Sequence, residues 1–406
     1  MTSEHRANRL SGRLAAMRPS ATGAMSQAAR ALAAQGRPVI SLSEGELDFD
    51  TPAHIQHAAI RAIVQGETRY TDVGGTPALK AAIAAKFRRD NGLAYEPREI
   101  IAATGAKQII FNAFLATLDP GDEVIVPAPY WVSYPEMIRM AGGTPVMIAT
   151  RPQDGFKLQP DELSCALTSK TRWLLLNSPG NPSGALYSGD ELRALAQVLR
   201  DHPDVLVLSD DIYEEIVFDG TFCSFAQAAP DMSGRTLTLN GVSKSYAMTG
   251  WRLGYAGGPH WLISALAMLQ SQSTSNPNSI SQAAALQALQ GPREFLDEWR
   301  GRLRVRRDLA LEILGSAKPW LKAGAPPAAF YLFAHCGGAI GRRTPQGAVI
   351  ATDIDLAQYL LYEADVAVVP GSAFGMAPYL RLAYALSDAR LSEACERIVA
   401  ALRRLA

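Results

Sequence analysis

The chain has 406 residues, a formal net charge of +0, 48% hydrophobic residues and 19% charged ones, the balance of a globular protein with room for one large domain and a smaller one. A neutral chain without basic runs lacks the electrostatic footprint of a partner for nucleic acid or an anionic membrane, so a small-molecule partner is expected. Four scattered cysteines (Cys165, Cys223, Cys336, Cys395) with no CxxC pair argue against a disulfide framework and a zinc site. No apolar run reaches the roughly 18 residues that span a bilayer, the first twenty residues lack the apolar core of a signal peptide, and a cytoplasmic location is expected.

In chain order, strand-like segments at 99–104, 123–127, 144–149, 172–176 and 205–209 alternate with helical patterns at 108–118, 134–141 and 189–200. Two more strands are predicted at 236–239 and 251–256. After Gly291-Pro292 a long helix runs to about Leu314. A strand at 329–334, a Gly- and Pro-bearing excursion at 336–346, a helix at 353–363, short strands near Val366 and Leu380 and a terminal helix follow. The alternation predicts an α/β fold with a mostly parallel, buried sheet in a large domain over 50–291, and a smaller α/β domain over 292–406 joined by the N-terminal segment 1–49.

Such a sheet first suggests a dinucleotide, but GxGxxG is absent, as are GxxxxGK[ST] and GxSxG. What the chain does have is a strand ending at Thr104, with Gly105-Ala106-Lys107 opening a helix whose free N–H groups suit an anion such as phosphate. Asp210, Asp211 and Tyr213 end another strand, Asn181 lies in a polar turn after a third, and Trp131 stands just past a fourth. In open α/β sheets the ligand crevice lies at these carboxyl ends, so the groups converge. Lys244 sits on a short connection between two strands, with Arg252 eight residues on, so the two cations are expected to share one enclosed site. Taken singly, Lys244 and Arg252 read as solvated loop charges, Asp210 as a helix cap, Arg381 as an ion-pair partner and Trp131 as core; the conjunction carries the functional reading. His54 and His57 share one helix face but have no third ligand, so no metal is expected.

The stretches TRYTDVGGTPALK (68–80), PYWVSYPEM (129–137), NSPGNPSG (177–184), SDDIY (209–213) and SKSYAMTGWRLGYA (243–256) together resemble the class I aminotransferases, fold type I enzymes of pyridoxal 5′-phosphate, and most of all their bacterial aspartate and prephenate aminotransferase branch. The resemblance runs from RPSAT (18–22) to RLAYALS (381–387). It implies that Lys244 joins the cofactor as a Schiff base and carries the reacting proton, helped by a pKa that burial and nearby cations lower. It assigns Asp210, not Asp211, to the pyridine nitrogen, Tyr213 and Asn181 to the phenolic oxygen and Trp131 to the ring face. The phosphate falls to Arg252, Ser243, Lys107 and the Gly105 and Ala106 amides.

The same resemblance implies that Arg381 grips the substrate α-carboxylate beside Gly45, Trp131 and Asn181, while Arg18 and Lys107 favour a distal carboxylate. Tyr70 is expected to reach the phosphate of a neighbouring subunit, which makes the protein a homodimer with shared sites. The expected reaction moves an amino group between aspartate or glutamate and a 2-oxo acid in ping-pong fashion. A neutral, aromatic or basic donor, or a pyridoxal-phosphate-dependent carbon–sulfur lyase, is the alternative. Two departures bear on specificity. Glu44 and Leu47 stand where relatives carry a small residue and proline, and a Glu44 side chain turned into the pocket would repel a dicarboxylate. Ala328 and Ala329 stand where Glu-Gly or Ser-Gly is usual.

Overall fold

In the computed structural model, which describes residues 11–15, 17 and 21–406, the first strand, β1 (Ile40–Ser41), is followed by seven that form one sheet: β2 (Ile100–Ala103), β3 (Glu123–Ala128), β4 (Thr144–Ala149), β5 (Thr171–Asn177), β6 (Leu206–Asp210), β7 (Thr236–Gly241) and β8 (Gly254–Gly257). Their spatial order is β2-β8-β7-β6-β5-β3-β4, and only β8 runs antiparallel to its neighbours. The sheet is buried on both faces at its central strands, which alternate two apolar sets, while the edge strand β4 is partly exposed. Val124, Val126, Trp173 and Leu175 pack with Ile110 and Phe114 of the helix Ala106–Thr117 and Leu262 of His260–Ser271. Ile125, Leu174 and Leu176 face the opposite way, onto Leu192, Leu195 and Leu199 of the helix Gly189–Arg200. That helix starts at Ser188, whose side chain accepts from Glu191 N while Glu191 answers the Ser188 N–H. Each fully buried leucine on its face contributes about 1.5–3 kcal/mol.

A second unit holds β9 (Tyr331–His335), β10 (Val366–Ala367), β11 (Val369–Pro370) and β12 (Tyr379–Ala383), with β11-β12-β9 antiparallel. The helices Phe295–Gly315, Asp353–Ala364 and Asp388–Arg403 close its core. β1 pairs in parallel with β10, Ile40 opposite Val366, so the N-terminal segment packs with C-terminal elements. No described helix is long and apolar enough to cross a membrane.

Two expected strands are displaced. Residues 251–256 divide into a tight turn at Thr249–Trp251, a left-handed Arg252 (φ 54) and a strand that begins only at Gly254. Pairing starts there because Gly254 lies between Ala103 and Gly241, and a side chain at Gly254 would run into Ala106 N. The strand read at 329–334 starts at Tyr331, since Ala329 takes φ 60 and donates its N–H to Ile216 O at 2.8 Å. The sequence indicates no helix at Ser279–Gln290, and at Ala53–Val64 only the helical spacing of His54 and His57. Their buried faces are mostly alanine (Ala58, Ala59, Ala62; Ala284, Ala285, Ala288), which packs helices closely but shows little contrast in hydropathy.

Candidate active site

The carboxyl ends of the parallel strands and the second unit enclose a cavity of about 280 Å³. It brings together Gly45, Ala106, Lys107, Trp131, Asn181, Asp210, Tyr213, Ser243, Lys244, Arg252 and Arg381. Gly105 adjoins it: a Cβ there would lie 2.5 Å from Arg252 Nη2. Tyr70 is elsewhere, 91% exposed at a separate groove beside Ser279 and Gln282. Arg18 lies outside the described residues.

Strand register explains the convergence. Asn177 pairs with Asp210, and Asp210 with Leu239, so β5, β6 and β7 end nearly level. Alternation at the end of β6 then divides the two acids. Asp210 turns into the cavity, where Oδ2 accepts from Tyr134 Oη at 2.6 Å and Oδ1 from Ile212 N at 3.3 Å. Asp211 turns the other way and accepts from Ser209 Oγ at 2.7 Å. Burial raises the Asp210 carboxyl to about 6, with the Tyr134 hydroxyl opposing.

Lys244 Nζ donates to Gly45 O at 2.6 Å. Burial lowers it to about 8, and the Arg381 and Arg252 charges push the same way, against Glu46 and Asp210. The amine is therefore partly neutral near neutrality. Arg381 is 2% exposed between the rings of Tyr331 and Phe374, at 4.8 and 5.1 Å. Nη1 donates to Asn181 Oδ1 at 3.1 Å, Nη2 donates to Ser43 O, and Nε has no partner among the described residues. Burial lowers its pKa, Tyr331 and Tyr213 oppose, and among the described residues no acidic side chain contributes.

At the other end, the helix Ala106–Thr117 begins after Gly105 (φ 86) with no side-chain cap. The Arg252 guanidinium lies against that start and donates to Thr249 O at 3.0 Å. Lys107 Nζ sits 4.7 Å from the Trp131 ring centroid, its pKa lowered by burial and then by Arg252. Uncapped N–H groups with two cations at this end, and the buried Arg381 guanidinium at the other, each suit an anionic occupant. Between them, the Tyr213 and Tyr331 hydroxyls are 2.8 Å apart.

Tyr134 and Tyr331 escaped the sequence reading. Tyr134 follows Trp131 by three residues and meets it edge to face at 5.2 Å, so helical spacing was a usable signal; for Tyr331 there was none. Glu44, whose direction the sequence left open, points outward and accepts from Arg30 Nη1 at 3.1 Å. Leu47 packs against the second core, and Ala328 and Ala329 are buried in it or at its edge.

Comparison with known proteins agrees with this geometry. Residues 37–398 match the family model for aminotransferase class I and II. An aspartate aminotransferase of Rhizobium meliloti (strain 1021) is 56% identical over 93% of this chain and 92% of its own. An aspartate/prephenate aminotransferase of Cereibacter sphaeroides is 53% identical over 96% and 98%. Among solved structures, the Rhizobium meliloti aspartate aminotransferase superposes with a TM-score of 0.94 at 53% identity, covering 98% of this chain and 100% of that one. The Thermus thermophilus aspartate aminotransferase with maleate gives 0.90 at 45%, covering 97% and 99%. The chain belongs to the class I and II aminotransferases and is a pyridoxal 5′-phosphate-dependent transaminase of fold type I, acting on an amino acid and a 2-oxo acid.

Proposed function

We propose that the enzyme takes aspartate or glutamate as amino donor and 2-oxoglutarate or a similar 2-oxo acid as acceptor, in two half-reactions at the one cavity. The observation that carries the amino-acid part of the reading is Arg381, a buried guanidinium that among the described residues has a free Nε and no acidic side chain to offset its burial, which suits a substrate α-carboxylate. Asn181, bonded to it, stands alongside.

The residues fit the cofactor. Its phosphate would lie at Arg252, Ser243, Lys107 and the Gly105 and Ala106 amides, its ring on Trp131, its phenolic oxygen at Tyr213 and Asn181, and its carbonyl carbon on Lys244. When bound, pyridoxal phosphate supplies a ring that accepts the electron pair left when the substrate Cα–H bond breaks. Asp210 would keep the proton on the ring nitrogen, its carboxylate oriented by Tyr134. Lys244 Nζ, lowered to about 8, is basic enough to take the Cα proton and free enough of charge to do so.

The acidic donor is supported by the names of the relatives and by maleate, a dicarboxylate, in the Thermus structure. Glu44 does not oppose it, being held on Arg30. Lys107, and Arg18 by resemblance, would meet the distal carboxylate. A second chain would complete the site. Tyr70 is exposed away from the cavity, and an apolar groove of about 1150 Å³, lined by Phe111, Met137 and Met140, opens beside Lys107 and Arg252. A homodimer bringing a partner's Tyr70 to the phosphate would use both. The segments 1–49, 50–291 and 292–406 remain the proposed domain division, supported by the β1–β10 pairing.

A steady-state panel of aspartate, glutamate, phenylalanine, alanine, lysine and arginine with 2-oxoglutarate tests the substrate. Preference for the two acidic donors is expected. A preferred basic donor, or pyruvate and ammonia released without an acceptor, would refute it. Mixing inactive Lys244→Ala and Tyr70→Phe chains should restore part of the activity if sites are shared.

A further inference from the structure

Behind the turn that carries Tyr213 lies a buried polar cluster outside the cavity. Beyond Asp210 the chain folds into consecutive tight turns, Glu214 N donating to Asp211 O at 3.0 Å and Ile216 N to Tyr213 O at 2.8 Å. Ile212 and Tyr213 line the cavity, whereas Glu214 and Glu215 reach the cluster on the other side. Glu214 is 8% exposed and ion-paired with Lys86, itself 2% exposed. Asn91 closes the ring: Oδ1 accepts from Lys86 Nζ at 2.7 Å, and Nδ2 donates to Glu214 Oε2 at 2.8 Å. Glu215 is ion-paired with Arg293, which also reaches Asp90 at 2.9 Å. Carboxylate oxygens of Asp90, Glu214 and Glu215 lie within 4.8 Å of one another, and Lys86, Arg89 and Arg293 meet their charge. The cluster is thus an ion network in which each carboxylate meets a cation.

A buried ion pair is a poor source of stability beside apolar residues of the same volume, but its bonds are directional and fix one arrangement. Lys86 and Asn91 lie near the end of the helix Pro77–Asn91, which is packed through Leu79, Ile83 and Phe87 against Ile100 and Tyr255 of the sheet. The turn is therefore fastened at its rear to a rigid element. At its front, the Tyr213 hydroxyl stands 2.8 Å from that of Tyr331. We infer that Lys86, Asn91 and Glu214 are positioning residues, which set the Tyr213 hydroxyl against the cofactor's phenolic oxygen. The inference rests on the role given to Tyr213 above.

Two variants test it. Glu214→Gln keeps the shape and removes the charge; Lys86→Met with Glu214→Leu removes both charges and keeps the site filled. The readout is the pH midpoint of the cofactor's visible absorbance in the resting enzyme, with the dissociation constant for pyridoxal phosphate measured alongside. Both variants should move the midpoint by about half a pH unit or more and lower kcat about tenfold, with KM for the donor held within about twofold. In a Tyr213→Phe background neither should move the midpoint further, because the effect passes through that hydroxyl. A wild-type midpoint in the folded double variant, or shifts that add to that of Tyr213→Phe, would overturn the inference. An unchanged midpoint in Tyr213→Phe alone would instead remove the assignment of Tyr213.

Discussion

Replacing Arg381 with methionine should separate binding from folding more cleanly than any other change at this site. Among the described residues the guanidinium has a free Nε, and its two bonded donors reach an amide oxygen and a main-chain carbonyl. A carboxylate held by two charge-assisted bonds, each worth about 1.5–3 kcal/mol, gains about 3–6 kcal/mol, or roughly 10² to 10⁴ in kcat/KM. The loss should fall mainly on KM, since the carboxylate is held alike in the ground and transition states. Arg381→Lys, which keeps the charge without the fork, should recover part of it. Stability should change less than activity: burial already disfavours the charge and a methionine fills the space between Tyr331 and Phe374, while Asn181 Oδ1 and Ser43 O each lose a donor at a cost of about 1–3 kcal/mol. The assay is kcat/KM for aspartate, beside urea unfolding and turnover of an amine that lacks an α-carboxylate. A loss under about tenfold for aspartate, or an equal loss for the simple amine, would refute the reasoning.

Gly105→Ala forces a Cβ onto a residue at φ 86 and to within 2.5 Å of Arg252 Nη2, so affinity for pyridoxal phosphate should fall about tenfold or more; Gly36→Ala, at φ 87 with open space around it, shares the strain and should leave affinity unchanged in a fluorescence titration. Tyr134→Phe removes the donor that favours the charged form of Asp210, so its carboxyl should rise from about 6 by about one pH unit, read by carbon-13 titration of the cofactor-free protein; an unmoved midpoint would count against the 2.6 Å bond. Lys244 is lowered from 10.5 to about 8 on folding, so the unfolded chain holds more protons between those values and stability rises with pH across them. Below pH 8 the full penalty of about 3 kcal/mol applies. Lys244→Met should therefore stabilise the cofactor-free protein by about that much at pH 7 and about half as much at pH 9.5, where pH-independent unfolding differences would contradict the assignment.

Residue order alone determined the alternation of strands and helices, the absence of nucleotide-loop motifs, and the placing of Lys244, Asp210 and Asn181 at strand ends. These depend on periodicity and on neighbours a few residues away, as does the glycine-led start of the helix Ala106–Thr117. The tertiary structure decided what depends on distant partners. Glu44 faces out because Arg30, on the helix Ala21–Ala34, holds it. Arg252 leaves the predicted strand because β8 can pair only from Gly254. Tyr134 meets Asp210 across 76 residues, and Lys86 meets Glu214 from another helix altogether. Nothing local to Arg381 shows that burial leaves its charge without an acid, since that depends on what the whole enclosed space omits. Side-chain direction and charge balance around a cavity are sums over contacts far apart in the chain, which short-range pattern does not contain.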